Sequence, residues 1–463
     1  MKRNWTRRAW LEKMGVGSIA FGATLGARAD LSHDGDPDDG WFGPNIEKIK
    51  PSLIDGPSPT FANGKVLQPA RELPIFHTAD VVVVGGGPAG FAAAVAAGRA
   101  GAKVALVERY GSMGGLFSNG LVLAVIGTAE KRDGDYHLVT KGICEEFMNR
   151  AVNMDKWAST PLGNPSAGGK YQPVIDPEAA KVLMDQMALE AHVEIFYHCW
   201  GVDVIQAGQT VQGIVFESKE GRQAILAKQI IDTTGDGDLF FSAGATYTQI
   251  THALGFVYRI GNYDRTDRAK IPQGNYLNFG TVEPIPAARW LNCLGRKGNG
   301  LKVRDLTNAE ITHRRDAWKY VSRMRATPGC EQTFLMHTAS QLGVRATRLL
   351  EGEVTLTRKD ALAARQWNDS IGMSGDDSYR RPAFQIPYRA LLPKQIDNLL
   401  VAGRCISCTS DLIDRLRLIP VCMVTGQAAG TAAALAAKAG TTPRAVPVEE
   451  LRKRLQSDGV RLA

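Results

Sequence analysis

At 463 residues the chain is long for a single hydrophobic core, and roughly two to three domains are expected. Its composition, 44% hydrophobic and 22% charged, is that of an ordinary globular protein. The formal net charge of +8 invites a nucleic-acid or membrane-surface reading. That reading fails on distribution: residues 1–29 hold Lys2, Arg3, Arg7, Arg8, Lys13 and Arg28 against Glu12, a local +5 that leaves +3 for the remainder.

The basic N-terminus reads as an address. Thr6-Arg7-Arg8-Ala9-Trp10-Leu11 resembles a twin-arginine export signal, followed by a mildly apolar stretch from Met14 to Ala27 and an Ala27-Arg28-Ala29 cleavage site. The expected partner is the twin-arginine export machinery, and the expected location is periplasmic or otherwise extracytoplasmic. The alternative is a chance Arg-Arg pair ahead of an apolar terminus. The stretch is too short and glycine-rich for a stable membrane span. Residues 30–74 are rich in Pro, Gly and Asp without sustained periodicity, and read as a linker or N-terminal extension.

The segment Asp80–Arg109, DVVVVGGGPAGFAAAVAAGRAGAKVALVER, reads as strand, glycine turn, helix, strand and acidic stop. Val81 to Val84 mark a central parallel strand covered on both faces. Gly85 permits the tight turn, Gly87 lets backbone reach a pyrophosphate, and Gly90 lets the helix pack close to the strand. The phosphates then meet the free N–H groups and positive dipole end of a helix that begins at Pro88 and Ala89. Glu108 stands at the end of the second strand, where a carboxylate accepts from both ribose hydroxyls and repels a 2′-phosphate. The adenosine half therefore reads as FAD or NAD rather than NADP.

Next comes a small-residue loop from Gly111 to Gly120. Asp176-Pro177-Glu178 opens a helix to about Ala191, with Asp as N-cap and Pro at its first position. Strands are expected over 193–204, 211–218 and 227–232. The last ends in Thr233-Thr234-Gly235-Asp236-Gly237-Asp238, a polar turn at a strand's carboxyl end where open α/β sheets place ligands; its spacing fails a calcium loop. Residues 245–390 mix strands such as 255–260 with helices such as 308–325 and 360–367, as an inserted second domain would. Seven cysteines in no regular framework argue against a disulfide scaffold. Cys405-Ile406-Ser407-Cys408 could be a redox pair or half a metal site, but no second CxxC or paired His supports a metal. Asn398–Arg404 is another buried strand entering a glycine turn, and a Pro-started alanine helix follows.

Together, Asp80–Arg109, IIDTTGDGD (230–238), IPYRALLP (386–393), NLLVAGR (398–404) and PVCMVTGQAAGTAAALA (420–436) resemble the FAD-dependent oxidoreductases of the glutathione-reductase-like superfamily, in an exported bacterial branch. The resemblance covers about residues 75–440. It implies an α/β fold: a Rossmann-like FAD-binding domain with a parallel sheet, helices and a three-stranded β-meander, discontinuous over 75–244 and 391–463, with a mixed α+β substrate domain inserted at 245–390. It implies one extended FAD. Gly85, Gly87, Pro88, Ala89 and Gly90 would meet the pyrophosphate, Glu108 and Arg109 the adenosine ribose region, and Trp200 and Gly201 the adenine. Gly114, Gly115 and Ser118 would line the middle, alongside Thr234, Gly235 and Asp236. Gly403 and Arg404 would lie by the ribityl chain. A helix starting near Met423, with Gly426 and Gln427, would aim its N-terminus at the flavin ring. The family's Gly-x-Arg-Glu-Ser-Arg-Arg segment reads Gly343-Val344-Arg345-Ala346-Thr347-Arg348-Leu349 here, keeping two arginines but losing the Glu.

The expected chemistry is hydride transfer from a small-molecule substrate to the flavin, with an outside electron acceptor completing the cycle. Candidate bases are His337 and His252, each of which could equally be a hydrogen-bonded structural histidine. Arg345, Arg348 and Arg389 could hold an anionic or hydroxylated substrate, or serve as scaffold ion pairs. A flavin-bearing electron-transfer component acting with a protein partner is the alternative reading.

Overall fold

The structure, a computed structural model, describes residues 60–68, 70–162, 171–376 and 380–463. The expected export signal at 1–29 lies outside the described residues. The described residues divide into two units, those up to residue 71 and those from residue 72 on. In the first, Thr60–Ala62 pairs antiparallel with Lys65–Leu67. Asn63 and Gly64 make the turn at φ 51° and 70°, as a two-residue hairpin loop requires. The expected linker thus contains a hairpin, whose three-residue strands are too short for alternation to register in the sequence.

The second unit opens with β1 (Ile75–Val84), α1 (Pro88–Arg99) and β2 (Val104–Val107). After α2 (Ile143–Met154), α3 (Pro177–Glu190) is capped by Asp176, whose carboxylate accepts from the N–H groups of Glu178 at 2.9 Å and Ala179 at 3.3 Å. β3 (Val193–Phe196) then lies parallel beside β2, and β4 (Trp200–Ala207), β5 (Thr210–Ser218) and β6 (Gly221–Asp232) form an antiparallel meander. The single strand expected over 193–204 is broken at residues 197–199. His198 turns there at φ 57°, because the chain leaves the parallel part of the sheet and re-enters in the meander.

A second, antiparallel sheet is built on β7 (Leu254–Gly261), flanked by β8 (Arg289–Arg296), β9 (Phe334–Thr338) and β10 (Gly343–Val344). Helix α4 (Val303–Arg325) covers it, burying Ala309, His313, Ala317, Val321 and Met324 at helical spacing. Ala309, Ala317, Val321 and Met324 form their own core with Leu254, Phe256, Tyr258 and Ile260, and His313 stacks on Phe256. The hairpin of β11 (Ser370–Ser374) and β12 (Phe384–Pro387) does not join it. Ile371, Phe384 and Ile386 belong to the larger core with β1 and α1, so the stretch expected as one inserted domain, 245–390, is shared between these two cores and two smaller clusters.

β13 (Leu399–Val401) returns to the first sheet, parallel to the end of β6, and α5 (Ile419–Ala439) follows. The sheet order is β3-β2-β1-β6-β5-β4, with β13 also on β6. Register is the decisive fact for function. Val84 lies opposite Val107 on one side and Asp232 on the other, and Asp232 opposite Val401, so four parallel strands end in line.

The cores are joined by a buried charge cluster. Arg259 on β7 reaches Glu283, with Nε at 2.9 Å, and Asp176 at 3.0 Å; their side chains are 7%, 0% and 4% exposed. Removing the cation alone leaves two uncompensated carboxylates in low dielectric. Arg259→Leu is expected to lower unfolding stability by roughly 3–5 kcal/mol, with Arg259→Leu/Glu283→Leu/Asp176→Ser recovering most of the loss, as read from urea unfolding.

Candidate functional site

The aligned strand ends deliver four loops to one edge of the sheet: Gly85–Gly87 after β1, Glu108–Arg109 after β2, Thr233–Gly235 after β6 and Gly403–Arg404 after β13. All four line a cavity of about 470 Å³, within the range of ligand sites. Gly85 sits at φ +99°, and a Cβ there would stand 2.6 Å from the Thr233 carbonyl oxygen, so the β1 and β6 turns interlock only around glycine. Thr233 reinforces the junction by donating from its hydroxyl to the carbonyls of Val84 and Gly85 at 2.8 and 2.7 Å.

Helix α1 begins at Gly87 without a side-chain cap, leaving its first-turn N–H groups to a ligand. A Cβ at Gly87 would meet no atom within 4 Å, so the backbone there is open to the cavity. Gly90 is the opposite case. Its Cβ would fall 1.8 Å from the Gly85 carbonyl oxygen; it serves helix–turn packing and lies behind the lining. Glu108 is only 5% exposed and accepts from Gly86 N–H at 2.6 Å and Tyr110 N–H at 2.9 Å. Burial pushes its carboxyl upward while these N–H groups pull it back. Each oxygen keeps a lone pair for a ribose hydroxyl. Trp200 and Gly201, at the start of β4, face the same end, where the Arg109 guanidinium lies 5.8 Å from the Trp200 ring centre. These residues fit a dinucleotide with its pyrophosphate at α1.

The rest of the lining comes from elements far apart in sequence. Gly115, Leu116 and Phe117 supply one wall, and Gly255, Val257, Asn292 and Gln341 of the second sheet and its loops another. The Gln341 side-chain oxygen is buried with no donor among the described residues. Asp414, Arg417, Leu418, Ile419 and Cys422 complete it at the entry to α5. Arg404 binds Asp236 through two nitrogens at 2.9 and 3.0 Å, and Thr347 donates to the same carboxylate at 2.7 Å. Arg348 donates to the Asp236 carbonyl oxygen at 2.8 Å and Asp238 at 3.0 Å, so it acts as scaffold.

Several expected site residues lie elsewhere. Asp236 is held by Arg404 and Thr347 behind the lining. Gly114 and Ser118 close their own loop, the Ser118 hydroxyl donating to the Met113 carbonyl at 2.7 Å. α5 starts at Ile419, four residues before the expected Met423, so its N-cap Leu418 faces the cavity. Met423 is buried in the core. Gly426 packs on α1, where a Cβ would come within 2.1 Å of the Ala89 carbonyl oxygen, and the Gln427 side chain accepts from Ile143 N–H at 2.9 Å. Arg389 is paired with Asp369 at 2.9 Å beside a separate pocket with Trp367. His337 on β9 is outside the lining, and burial together with Arg259 holds its pKa below the usual histidine value. His252 also stands back, but its Nε2 is 3.3 Å from Asp414, which does line the cavity. Pro420 was the sequence signal for the true start of α5; no local signal marked Asp414, Arg417 or Gln341.

Cys405 and Cys408 are free thiols, both buried. Burial pushes Cys408 up to about 12 and Cys405 well above its ordinary value, so neither is a reactive thiolate near neutral pH. Among the described residues no three His, Cys, Asp or Glu side chains form a metal-holding group.

The contrast between the two glycines is testable without ligand. Gly90→Ala is expected to cost about 1–3 kcal/mol by overpacking against backbone, whereas Gly87→Ala should leave stability within about 0.5 kcal/mol, in thermal melts of cofactor-free protein.

Comparison with known proteins bears on the same elements. Over 49 residues the chain is 53% identical to a dihydrolipoyl dehydrogenase of Trypanosoma brucei brucei, covering 11% of this chain and 10% of that enzyme. A similar stretch matches the Manduca sexta dihydrolipoyl dehydrogenase, so the chain spans about a tenth of the length of these curated relatives. Among solved structures it is similar to a geranylgeranyl bacteriochlorophyll reductase-like protein from Thermoplasma acidophilum, at 15% identity, 83% of this chain, 84% of that one and a TM-score of 0.44. It is also similar to p-nitrophenol 4-monooxygenase from Pseudomonas putida, at 16% identity, 83% and 89% coverage and a TM-score of 0.42. The family described as FAD dependent oxidoreductase matches residues 80–252 and 259–455, and the chain belongs to that family.

Proposed function

We propose that the protein binds one extended FAD along this cavity and oxidises a small molecule at the flavin end, as a dehydrogenase that yields its electrons to an outside acceptor. Family membership implies a flavin. The observation that carries a dinucleotide, which the family makes FAD, is the open backbone at Gly87 beside the uncapped start of α1, with Glu108 across the same cavity. When bound, the flavin supplies the two-electron, one-hydrogen acceptor that side chains lack.

The chain's own residues do the rest. The N–H groups of α1 hold the pyrophosphate, Glu108 the ribose hydroxyls, and Trp200 with Arg109 the adenine side. Residues 75–244 and 391–463 carry the cofactor, and the sheet around β7 roofs its far end. Leu418 and Ile419 present the N-terminus of α5 to the cavity, where its positive dipole end would favour negative charge on a bound flavin. Asp414 at the cavity wall is the carboxylate placed to take the substrate proton, with His252 Nε2 at 3.3 Å behind it and, against the upward push of burial, Arg417 beside it holding its pKa below the ordinary value. Roofing by Gly255, Val257 and Asn292 favours a substrate chamber over an edge open to a protein partner. Arg7-Arg8 and the apolar stretch after it support export of the folded, loaded protein across the cytoplasmic membrane.

Purified protein should be yellow with a flavin spectrum, and Gly87→Val should abolish flavin retention while keeping the fold. A colourless preparation from flavin-replete cells rejects the proposal. With a substrate found by anaerobic bleaching across a panel, Asp414→Asn should slow bleaching by about 10²-fold or more.

A further inference from the structure

Four arginines line the cavity: Arg109, Arg345, Arg404 and Arg417. Three are engaged within the protein. Arg404 grips Asp236, Arg417 donates to Asp414 at 2.8 Å, and Arg109 lies over the rings of Tyr110 and Trp200. Among the described residues Arg345 has no carboxylate, carbonyl or ring partner.

Its position is nevertheless well defined. The guanidinium lies along Gly255 of β7, 3.6 Å from where a Cβ would stand, so the missing side chain provides its bed. Two residues on, Thr347 and Arg348 tie the backbone to the Asp236–Asp238 turn. The charged groups acting on it are Arg417, a second cation, and Asp414, which Arg417 and His252 already share. Burial and Arg417 together pull its pKa down from the ordinary arginine value. A half-buried cation beside another cation, with five donors and no acceptor, is a costly arrangement that a bound anion relieves.

We infer that Arg345 is the anchor for a carboxylate on the substrate, so that the molecule oxidised at this site is an organic acid. The inference rests on the dehydrogenase reading above and names its substrate class. A planar guanidinium matches a carboxylate through two parallel hydrogen bonds, which fixes the acid's orientation as well as its affinity. Arg417 adds attraction without direct contact, and Asp414 stays close enough to take the proton from the carbon or heteroatom next to the anchored group.

The test is calorimetric titration of the purified holoprotein at low ionic strength with matched acids and neutral amides: lactate against lactamide, and mandelate against mandelamide. The acids should bind at least about 10-fold tighter than their amides. Arg345→Gln should erase that preference, and Arg345→Lys should keep part of it because the charge survives without the fork. The flavin spectrum of each variant should match that of the parent. Equal binding of acid and amide, no binding of either, or an unchanged preference in Arg345→Gln overturns the inference. So does loss of flavin in both Arg345 variants, which makes the guanidinium a cofactor-phosphate anchor. A colourless parent that still prefers acids through Arg345 rejects the flavin reading and leaves the anion site standing.

Discussion

The cavity exists because four parallel strands stop at the same level. In a parallel sheet each strand reaches its neighbour through a crossover, so nothing local forces their ends into line; the alignment comes from the pairing of Val84 with Val107 and Asp232, and of Asp232 with Val401. A one-residue slip of any strand would invert its side chains and withdraw its loop from the edge. The glycines hold that register by exclusion. Gly85 fits against Thr233, and Gly426 and Gly430 bring α5 onto α1 so closely that a Cβ at either would overlap the Ala89 or Ala93 carbonyl oxygen. Helix dipoles from two separate segments thereby face one space.

Charge is handled differently behind the cavity and within it. Asp236 with Arg404, Asp238 with Arg348, and Arg259 with Glu283 and Asp176 are closed clusters that brace turns and join the two cores. Their removal is felt as lost stability, since each leaves a partner stranded in low dielectric. Glu108 and Arg345 are incompletely satisfied by the protein and face the lining. That contrast separates scaffold from recognition more sharply than residue type does.

The α1 side of the cavity was legible in the sequence and the opposite wall was not, for a physical reason. The first crossover is local: four valines, a glycine turn, an alanine helix and Glu108 lie within thirty residues, and each residue type answers a nearby backbone demand. The opposite wall is assembled from Gly255, Asn292, Gln341, Arg345, Asp414 and Arg417, brought together by elements far apart in sequence. No short spacing records such a juxtaposition. His337 illustrates the limit: its residue type suits a base, but its strand register sets it beside Arg259, away from the lining. Arg389 likewise follows a strand whose partner, Asp369, turns it to another pocket. The start of α5 was legible in Pro420 and decides which of its residues line the cavity.

Helix α5 has one more consequence, for biogenesis. Its 21 residues are long and apolar enough to cross a bilayer, yet in the fold they are almost wholly enclosed between α1, the sheet and the β11–β12 hairpin. Threaded through a translocon as an extended polymer, this segment would offer itself to lipid as a stop-transfer anchor before the strands that enclose it had emerged. Folding first hides it. The small residues that let α1 and α5 touch are therefore the same residues that leave α5 dependent on the fold around it to stay out of lipid.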